Sequence, residues 1–160
     1  MHFCHILIHS LLKLLKKPYF INTGLCFLPA CLAHLYFLVE NAMTWAEAQS
    51  FCRGNYNDLA TVSSEEESNK LVMAVQKHYN DSVWIGLYDD INSWRWSLQK
   101  EGFYSEGEPE FRMWGTGEPN NAGGLEDCVE MDIAGLWADC SCQRLFQFVC
   151  YYGKTHYNTI

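Results

Sequence analysis

Apolar and polar positions alternate along this chain with periods that predict several strands. Residues 34–39 form a short run rich in aromatic and branched side chains, and residues 83–87 form an apolar run bounded by polar residues. Residues 93–97 alternate, which places two tryptophans on one face of a strand, and core packing is a better explanation for them than an exposed ligand platform. Two further strands are predicted at 128–131 and 147–150.

Two other segments have helical periodicity. The first follows Thr44, whose spacing from Glu47 is that of a capping box, and its apolar face is Trp45, Ala48, Phe51 and Cys52. The second follows Ser64 and has three glutamates, at 65–67, in its first turn, where the helix dipole favours negative charge. This acidic run is therefore interpreted as a helix start and not as a binding patch. The elements together predict an α+β domain in which two helices pack on antiparallel strands.

The segment from 99 to 125 is rich in Gly, Glu and Asn and has little periodicity. Irregular loops of this length are uncommon in compact domains and are usually functional. Oxygen donors concentrate at its end, where Glu118, Asn120 and Glu126 are close in sequence and Asp139 follows. Such donors suit Ca²⁺, which takes about 6–8 oxygen ligands. A solvated acidic loop is the alternative that composition alone supports.

Composition narrows the class of protein. The 160 residues suit one domain, and a hydrophobic content of 49% is enough for a packed core. A formal net charge of −8 argues against nucleic-acid binding, which depends on Lys and Arg. The sequence contains no nucleophile elbow, no metal-hydrolase His pair in the domain and no phosphate-binding loop, so an enzyme is not expected.

Residues 1–33 have the pattern of a leader. Three lysines (Lys13, Lys16 and Lys17) precede an uncharged run, and small residues before His34 offer a cleavage site, which predicts a signal peptide. The alternative is an uncleaved membrane anchor over residues 18–39, since a span needs about 20 apolar residues. That count includes the predicted strand at 34–39, and Pro29 interrupts the apolar run before the strand. The domain is expected over 34–152, followed by a tail at 153–160.

The order of short motifs between residues 34 and 152 resembles that of a C-type lectin domain. The motifs of the first half are Thr44-Trp45-Ala46-Glu47-Ala48 before Cys52, Asp58-Leu59-Ala60-Thr61-Val62, and Trp84-Ile85-Gly86-Leu87. Those of the second half are Glu118-Pro119-Asn120, Glu126-Asp127-Cys128, Trp137 and Asp139 shortly before a cysteine, and Phe148-Val149-Cys150. The resemblance implies a C-type lectin-like fold with a long ligand-binding loop.

The resemblance also implies a Ca²⁺ site that binds sugar. Glu118, Asn120, Glu126 and Asp139 would hold the ion, with a cis peptide bond before Pro119, and two vicinal sugar hydroxyls would complete its shell. In the family, Glu-Pro-Asn is associated with mannose-type sugars and Gln-Pro-Asp with galactose-type sugars. An auxiliary ion site is suggested for Asp89, Asn121, Glu126 and Asp127.

One residue departs from the family pattern. The family's Trp-Asn-Asp is here Trp137-Ala138-Asp139, so an amide that serves both the ion and the sugar is missing. The sequence therefore predicts a lectin with weakened binding. The alternative is a C-type-lectin-like module that binds a protein partner without Ca²⁺.

Eight cysteines behind a leader indicate an oxidising compartment. The resemblance pairs Cys52 with Cys150 and Cys128 with Cys142. Cys4 and Cys26 would leave with the leader, whereas Cys140 is one more than the family's usual set. It is expected either to pair with Cys31 or to remain a free thiol that could link two chains. A zinc site at Cys140-Ser141-Cys142 is not supported, because no second pair of ligands accompanies it.

The expected localisation is secreted, with a membrane-anchored cell-surface protein as the alternative, and the expected partners are glycans or glycoproteins. Asn80 begins an Asn-Asp-Ser acceptor for N-glycosylation between the second helix and the next strand, so a glycoprotein is expected.

Overall fold

A computed structural model of the chain describes residues 19–21, 35–91, 93–99 and 110–153. The predicted leader lies outside the described residues except for 19–21, and so does the tail beyond residue 153. Cys4, Cys26 and Cys31 also lie outside them, and of the long loop predicted over 99–125 the structure describes residue 99 and residues 110–125.

The described residues form two helices and a mixed sheet, which confirms the α+β prediction. The helices are α1 (Trp45–Asn55) and α2 (Glu65–Val75). The strands are β1 (Tyr19–Ile21), β2 (Leu35–Met43), β3 (Asp58–Leu59), β4 (Val83–Asp89), β5 (Trp94–Trp96), β6 (Cys128–Met131), β7 (Trp137–Cys140) and β8 (Phe146–Tyr152).

The sheet has the strand order β1-β2-β8-β4-β6-β7, while β3 pairs with β8 and β5 pairs with β4. The described strand pairs are antiparallel except for β4 and β8, which run parallel. The prediction of antiparallel strands is therefore wrong for this one pair. A parallel neighbour requires a long crossover, and here the chain between β4 and β8 supplies β5, the long loop and the β6–β7 hairpin.

Both helices begin where the sequence predicts. Thr44 caps α1 with a complete capping box, in which the Thr44 backbone N–H donates to the Glu47 carboxylate at 3.0 Å. Ser64 caps α2, and its hydroxyl accepts a hydrogen bond from the Glu67 backbone N–H at 3.2 Å. These starts are predictable because the groups that make them lie within three residues of one another.

The core lies on both faces of β4. Val83, Ile85 and Leu87 belong to an apolar cluster that includes the α2 residues Leu71 and Val75. Trp84 points to the opposite cluster, which includes Trp45, Ala48 and Cys52 of α1. A strand buried on both faces is expected to be continuously apolar, as residues 83–87 are.

Two disulfides tie this framework together, with the pairing that the resemblance implies. Cys52 of α1 is bonded to Cys150 of β8, with 5.3 Å between their Cα atoms. Cys128 of β6 is bonded to Cys142, just after β7, with 5.1 Å between their Cα atoms. The first bond joins a helix to the centre of the sheet, and the second closes the β6–β7 hairpin.

Candidate functional site

The loop that carries the predicted ligands is fixed to the edge strand β7. Trp114 forms a bridge with Trp137, and the Gly115 backbone N–H donates to the Trp137 carbonyl at 2.8 Å. The Glu118 N–H then donates to the Gly115 carbonyl at 3.1 Å, which closes a tight turn. The peptide bond between Glu118 and Pro119 is cis, as the resemblance implies. These contacts place the Glu-Pro-Asn triplet beside the end of β7.

Asp139 on β7 holds the loop through two hydrogen bonds. Its side chain is buried, with a relative exposure of 4%. One carboxylate oxygen accepts the Asn120 backbone N–H at 2.9 Å, and the other accepts the Asn121 backbone N–H at 2.7 Å. The sequence indicates Asp139 as an oxygen donor, but its role as an acceptor of backbone N–H groups depends on a contact across about twenty residues, for which there is no local signal.

Glu118 and Asn120 face each other across the proline. The Asn120 side-chain amide donates to both carboxylate oxygens of Glu118, at 2.8 and 2.9 Å. The pKa of Glu118 is raised above its usual range, first by its hydrogen-bonded contact with Asp139 and then by loss of solvent, while the Asn120 amide acts in the opposite direction. Two adjacent carboxylates favour a proton on one of them, and a bound cation would relieve the same repulsion.

Glu126 reaches back over a short 3₁₀ turn at Ala122–Gly124. Its carboxylate accepts the Ala122 backbone N–H at 2.7 Å, and its own N–H donates to the side-chain oxygen of Asn121 at 3.2 Å. Asn121 has a left-handed backbone with φ of 43°, a conformation that Asn adopts more readily than most residues. The structure thus joins Glu118, Asn120 and Asp139 directly, and Glu126 through this turn.

The residues suggested for the auxiliary ion site lie on two neighbouring segments. The Asp89 backbone N–H donates to the Asp127 carbonyl at 2.8 Å, which brings the end of β4 next to the start of β6. The Oδ1 atom of Asp89 is buried and has no hydrogen-bond partner in the structure. A buried carboxylate oxygen without a donor is costly, and a cation is one way to satisfy it.

The chemistry of these donors fits Ca²⁺, since the candidate side chains of both sites all present oxygen atoms and the Asp89 Oδ1 atom accepts no hydrogen bond. Among the described residues, however, no three His, Cys, Asp or Glu side chains converge closely enough to enclose an ion. The carboxylates of Asp139 and Glu126 instead accept backbone N–H groups.

Ala138 lies opposite Glu130 in the ladder between β6 and β7. The Glu130 Oε2 atom is buried and has no hydrogen-bond partner in the structure. Nearby Cys140 is a free thiol with a relative exposure of 2%, and burial, followed by the charge of Glu130, raises its pKa to about 12. The thiol therefore stays protonated at neutral pH. A link between two chains through Cys140 would require exposure of a buried atom and remains a prediction.

The remaining residues that the sequence singles out are a glycosylation acceptor and two tryptophans. Asn80 is exposed between α2 and β4, where a glycan would have room, although its use stays a prediction. Trp96 is buried in the core and Trp94 packs edge-on against Trp114, with 4.9 Å between ring centroids. The interpretation of both tryptophans as packing residues is confirmed.

A disulfide-stapled α+β fold with an acidic and amide-bearing loop on its edge strand defines a class of binding domain, and comparison with known proteins places the chain within it. The sequence model of the Lectin C-type domain matches residues 41–152. Rat L-selectin is 34% identical over 121 residues, which cover 72% of this chain and 31% of L-selectin. The chain belongs to the C-type lectin domain family.

Solved structures agree with this assignment. The human scavenger receptor C-type lectin carbohydrate-recognition domain superposes with a TM-score of 0.68 at 25% identity, over 86% of this chain and 98% of that domain. The C-type carbohydrate-recognition domain of cow CD23, determined in the presence of a GlcNAc2Man3 oligosaccharide, gives a TM-score of 0.62 at 29% identity, over 76% of this chain and 89% of that domain.

Membership sets the general function. Domains of this family generally bind carbohydrate and Ca²⁺ and are not enzymes, which confirms the prediction of a non-enzymatic protein. The chain spans about a third of the length of the first curated relatives that it matches, 31% in the case of L-selectin. Across the described residues, neither helix has the length and apolar content that a bilayer crossing requires.

Proposed function

We propose that this chain is a Ca²⁺-dependent carbohydrate-binding module that prefers mannose-type sugars. The observation that carries the proposal is the Glu118 and Asn120 pair, which flanks Pro119, is linked by two hydrogen bonds and is joined to buried Asp139. Glu118, Asn120, Glu126 and Asp139 would hold the ion. When bound, Ca²⁺ supplies open positions that accept two neighbouring sugar hydroxyls.

The direction of donors and acceptors in this pair favours one class of sugar. A carboxylate at 118 accepts a hydroxyl hydrogen, and an amide at 120 can donate to a hydroxyl oxygen. In the family that order accompanies mannose-type sugars. Mannose and N-acetylglucosamine have equatorial 3- and 4-hydroxyls, and fucose presents an equivalent equatorial pair in its 2- and 3-hydroxyls. The 29% identical CD23 domain solved with a GlcNAc2Man3 oligosaccharide supports the same class of ligand.

Ala138 is expected to weaken this binding without changing the preference. The methyl group supplies neither the ion ligand nor the hydroxyl donor that the family's Asn provides. Water can replace the ion ligand, because Ca²⁺ tolerates irregular shells. A sugar hydroxyl left unpaired costs about 1–3 kcal/mol, which is roughly 5–150-fold in affinity.

The test is elution of the purified chain from immobilised mannose. We expect retention in Ca²⁺ and release by chelator, with free mannose a better competitor than free galactose. The double variant Glu118→Gln, Asn120→Asp should reverse the order of competitors, because acid and amide exchange places. Glu66→Gln, on the exposed side of α2, is the matched control and should behave as wild type. Retention that persists in chelator and is not reduced by free mannose or free galactose would contradict the proposal.

A second candidate is a Ca²⁺-independent module for a protein partner. It is favoured by Ala138 and by the fact that the Asp139 and Glu126 carboxylates are already satisfied by backbone N–H groups. Such a module would capture the same partner with and without chelator, and the variant Glu118→Gln would leave capture unchanged.

The environment of the protein is part of the proposal. A secreted location, with a type II membrane anchor as the alternative, would expose the site to glycans or glycoproteins bearing mannose-type sugars. Both described disulfides fit an oxidising compartment. Mass spectrometry of the mature chain would show where it begins and whether Asn80 carries a glycan.

A further inference from the structure

Three cysteines meet beside the candidate site. Cys128 begins β6, Cys140 ends β7, and Cys142 follows two residues later. Cys128 is bonded to Cys142, while Cys140 is a free thiol. Cys128 and Cys140 belong to one apolar cluster on the α1 side of the sheet, and Cys142 packs against it. A free thiol thus shares one cluster with both sulfurs of a disulfide.

The ladder gives Cys128 a second possible partner. Cys128 and Cys140 are directly opposite each other in the antiparallel pairing of β6 and β7. Opposite residues in such a pair have Cα atoms about 4.5–5.5 Å apart, which lies within the range of about 4.4–6.8 Å that disulfides adopt. The observed Cys128–Cys142 bond spans a Cα separation of 5.1 Å. The Cβ atoms of opposite residues are about 4.5–5.5 Å apart and those of a disulfide about 3.5–4.5 Å, so a Cys128–Cys140 bond requires only a small approach of β6 and β7.

We propose that Cys128 forms two alternative disulfides and that exchange between them moves the free thiol from Cys140 to Cys142. In the exchange a bond forms between the sulfurs of Cys140 and Cys128, and the bond between Cys128 and Cys142 breaks. The electron pair of the broken bond goes to the Cys142 sulfur, which takes up the proton that Cys140 gives up. Because the thiolate is the attacking form and the buried Cys140 thiol is protonated at neutral pH, the exchange proceeds through a small deprotonated fraction and is slow. The number of disulfides is unchanged, so no oxidant or reductant is consumed.

The two isomers differ in where the thiol can be reached. Cys140 has a relative exposure of 2%, whereas Cys142 is partly exposed. Exchange would release the segment after β7, whose Cys142 carbonyl accepts the Trp45 backbone N–H at 3.1 Å, and would leave β6 and β7 joined across their ladder. A disulfide between two copies of the chain would then form through Cys142 and not through Cys140.

The first experiment follows thiol exposure in the folded full-length chain. The chain is incubated with N-ethylmaleimide without denaturant, and tandem mass spectrometry assigns the label within the peptide that contains Cys140-Ser141-Cys142. We expect label to accumulate on Cys142 together with a new Cys128–Cys140 disulfide. The matched control, Cys140→Ser, should abolish labelling of Cys142 because it removes the attacking thiol. Label that appears on Cys140 alone, or on neither residue until the chain is denatured, would overturn the proposal.

A second variant tests the alternative bond by itself. Cys142→Ser, refolded under the same oxidising conditions as wild type, should form the Cys128–Cys140 disulfide and show no reactive thiol at either position after denaturation. Free thiols at both positions in a folded Cys142→Ser chain would contradict the ladder argument. If this variant does not fold, the wild-type labelling pattern decides.

Discussion

Substitution of Asp139 by Asn separates the structural role of this residue from its proposed role at the ion. The two carboxylate oxygens of Asp139 accept different backbone N–H groups, those of Asn120 and Asn121. An Asn side chain has one acceptor oxygen, so it can retain one of these hydrogen bonds and must turn its NH₂ group towards the other N–H. Asp139→Asn should therefore destabilise the domain even without Ca²⁺.

The magnitude follows from the number of bonds lost. A hydrogen bond to a charged group contributes about 1.5–3 kcal/mol. One such bond is lost at Asp139, whose relative exposure is only 4%. We expect the free energy of unfolding to fall by about 2–3 kcal/mol in chelator, measured by urea denaturation followed by tryptophan fluorescence. In Ca²⁺ at about 100 times its Kd, wild type should gain about 2.7 kcal/mol and the variant much less.

Asp132 provides a matched control in the same hairpin. It also accepts two backbone N–H groups, from Ala134 at 2.8 Å and Leu136 at 2.9 Å, but both donate to the same oxygen, Oδ1. An Asn at 132 can keep both bonds, so Asp132→Asn should cost less than about 1 kcal/mol. Equal losses of stability in the two variants in chelator, or no loss in Asp139→Asn, would refute the reasoning.

Three other predictions concern the framework that holds the site. Gly135→Ala should lower the free energy of unfolding by about 1–3 kcal/mol, because φ is +84° and a Cβ would lie 2.9 Å from an α2 side chain. Gly54→Ala, where a Cβ meets open space, should be neutral or stabilising. Equal urea midpoints for the two variants would contradict this. Asp58→Ala should lower the free energy of unfolding by about 2–4 kcal/mol in the same urea experiment, since this buried carboxylate accepts three hydrogen bonds. A variant with wild-type stability would show that these hydrogen bonds do not stabilise the fold. Burial raises the pKa of Tyr151 to about 12. The folded chain then holds a proton that the unfolded chain loses from about pH 10, so stability is full below pH 10 and falls as the pH rises towards 12. Tyr151→Phe should reduce the loss of stability between pH 10 and pH 12. If wild type and Tyr151→Phe unfold identically at alkaline pH, Tyr151 is not the source of that loss.

The sequence predicts best the features that arise from neighbouring residues. The capping groups of Thr44 with Glu47 and of Ser64 with Glu67 lie three residues apart, and both are present. Strands with their own apolar run, such as residues 83–87, are also recognisable. The resemblance adds the disulfide pairing, which spacing alone leaves open.

Features that depend on distant partners are harder to predict. β3 has only two residues and exists as a strand because it pairs with β8. The parallel pairing of β4 and β8 joins segments about sixty residues apart and leaves no local pattern. At the site, the sequence supplies the oxygen donors but not their hydrogen bonds, because the acceptance of two backbone N–H groups by Asp139 is set by the packing of the loop on β7. The exposure of Cys140 is likewise a property of the assembled sheet.

The central claim is that the Glu118, Asn120, Glu126 and Asp139 oxygens bind Ca²⁺ and, through it, a mannose-type sugar. Calorimetric titration of Ca²⁺ into the wild-type chain, followed by mannose, tests it most directly, with Ala138→Asn in parallel. We predict that wild type binds Ca²⁺ and then mannose, and that Ala138→Asn strengthens sugar binding by roughly 5–150-fold, the equivalent of about 1–3 kcal/mol. If wild type binds neither, the claim fails for this chain. Recovery of both in Ala138→Asn would then identify a lectin scaffold that has lost its ion, and its function would lie with protein partners.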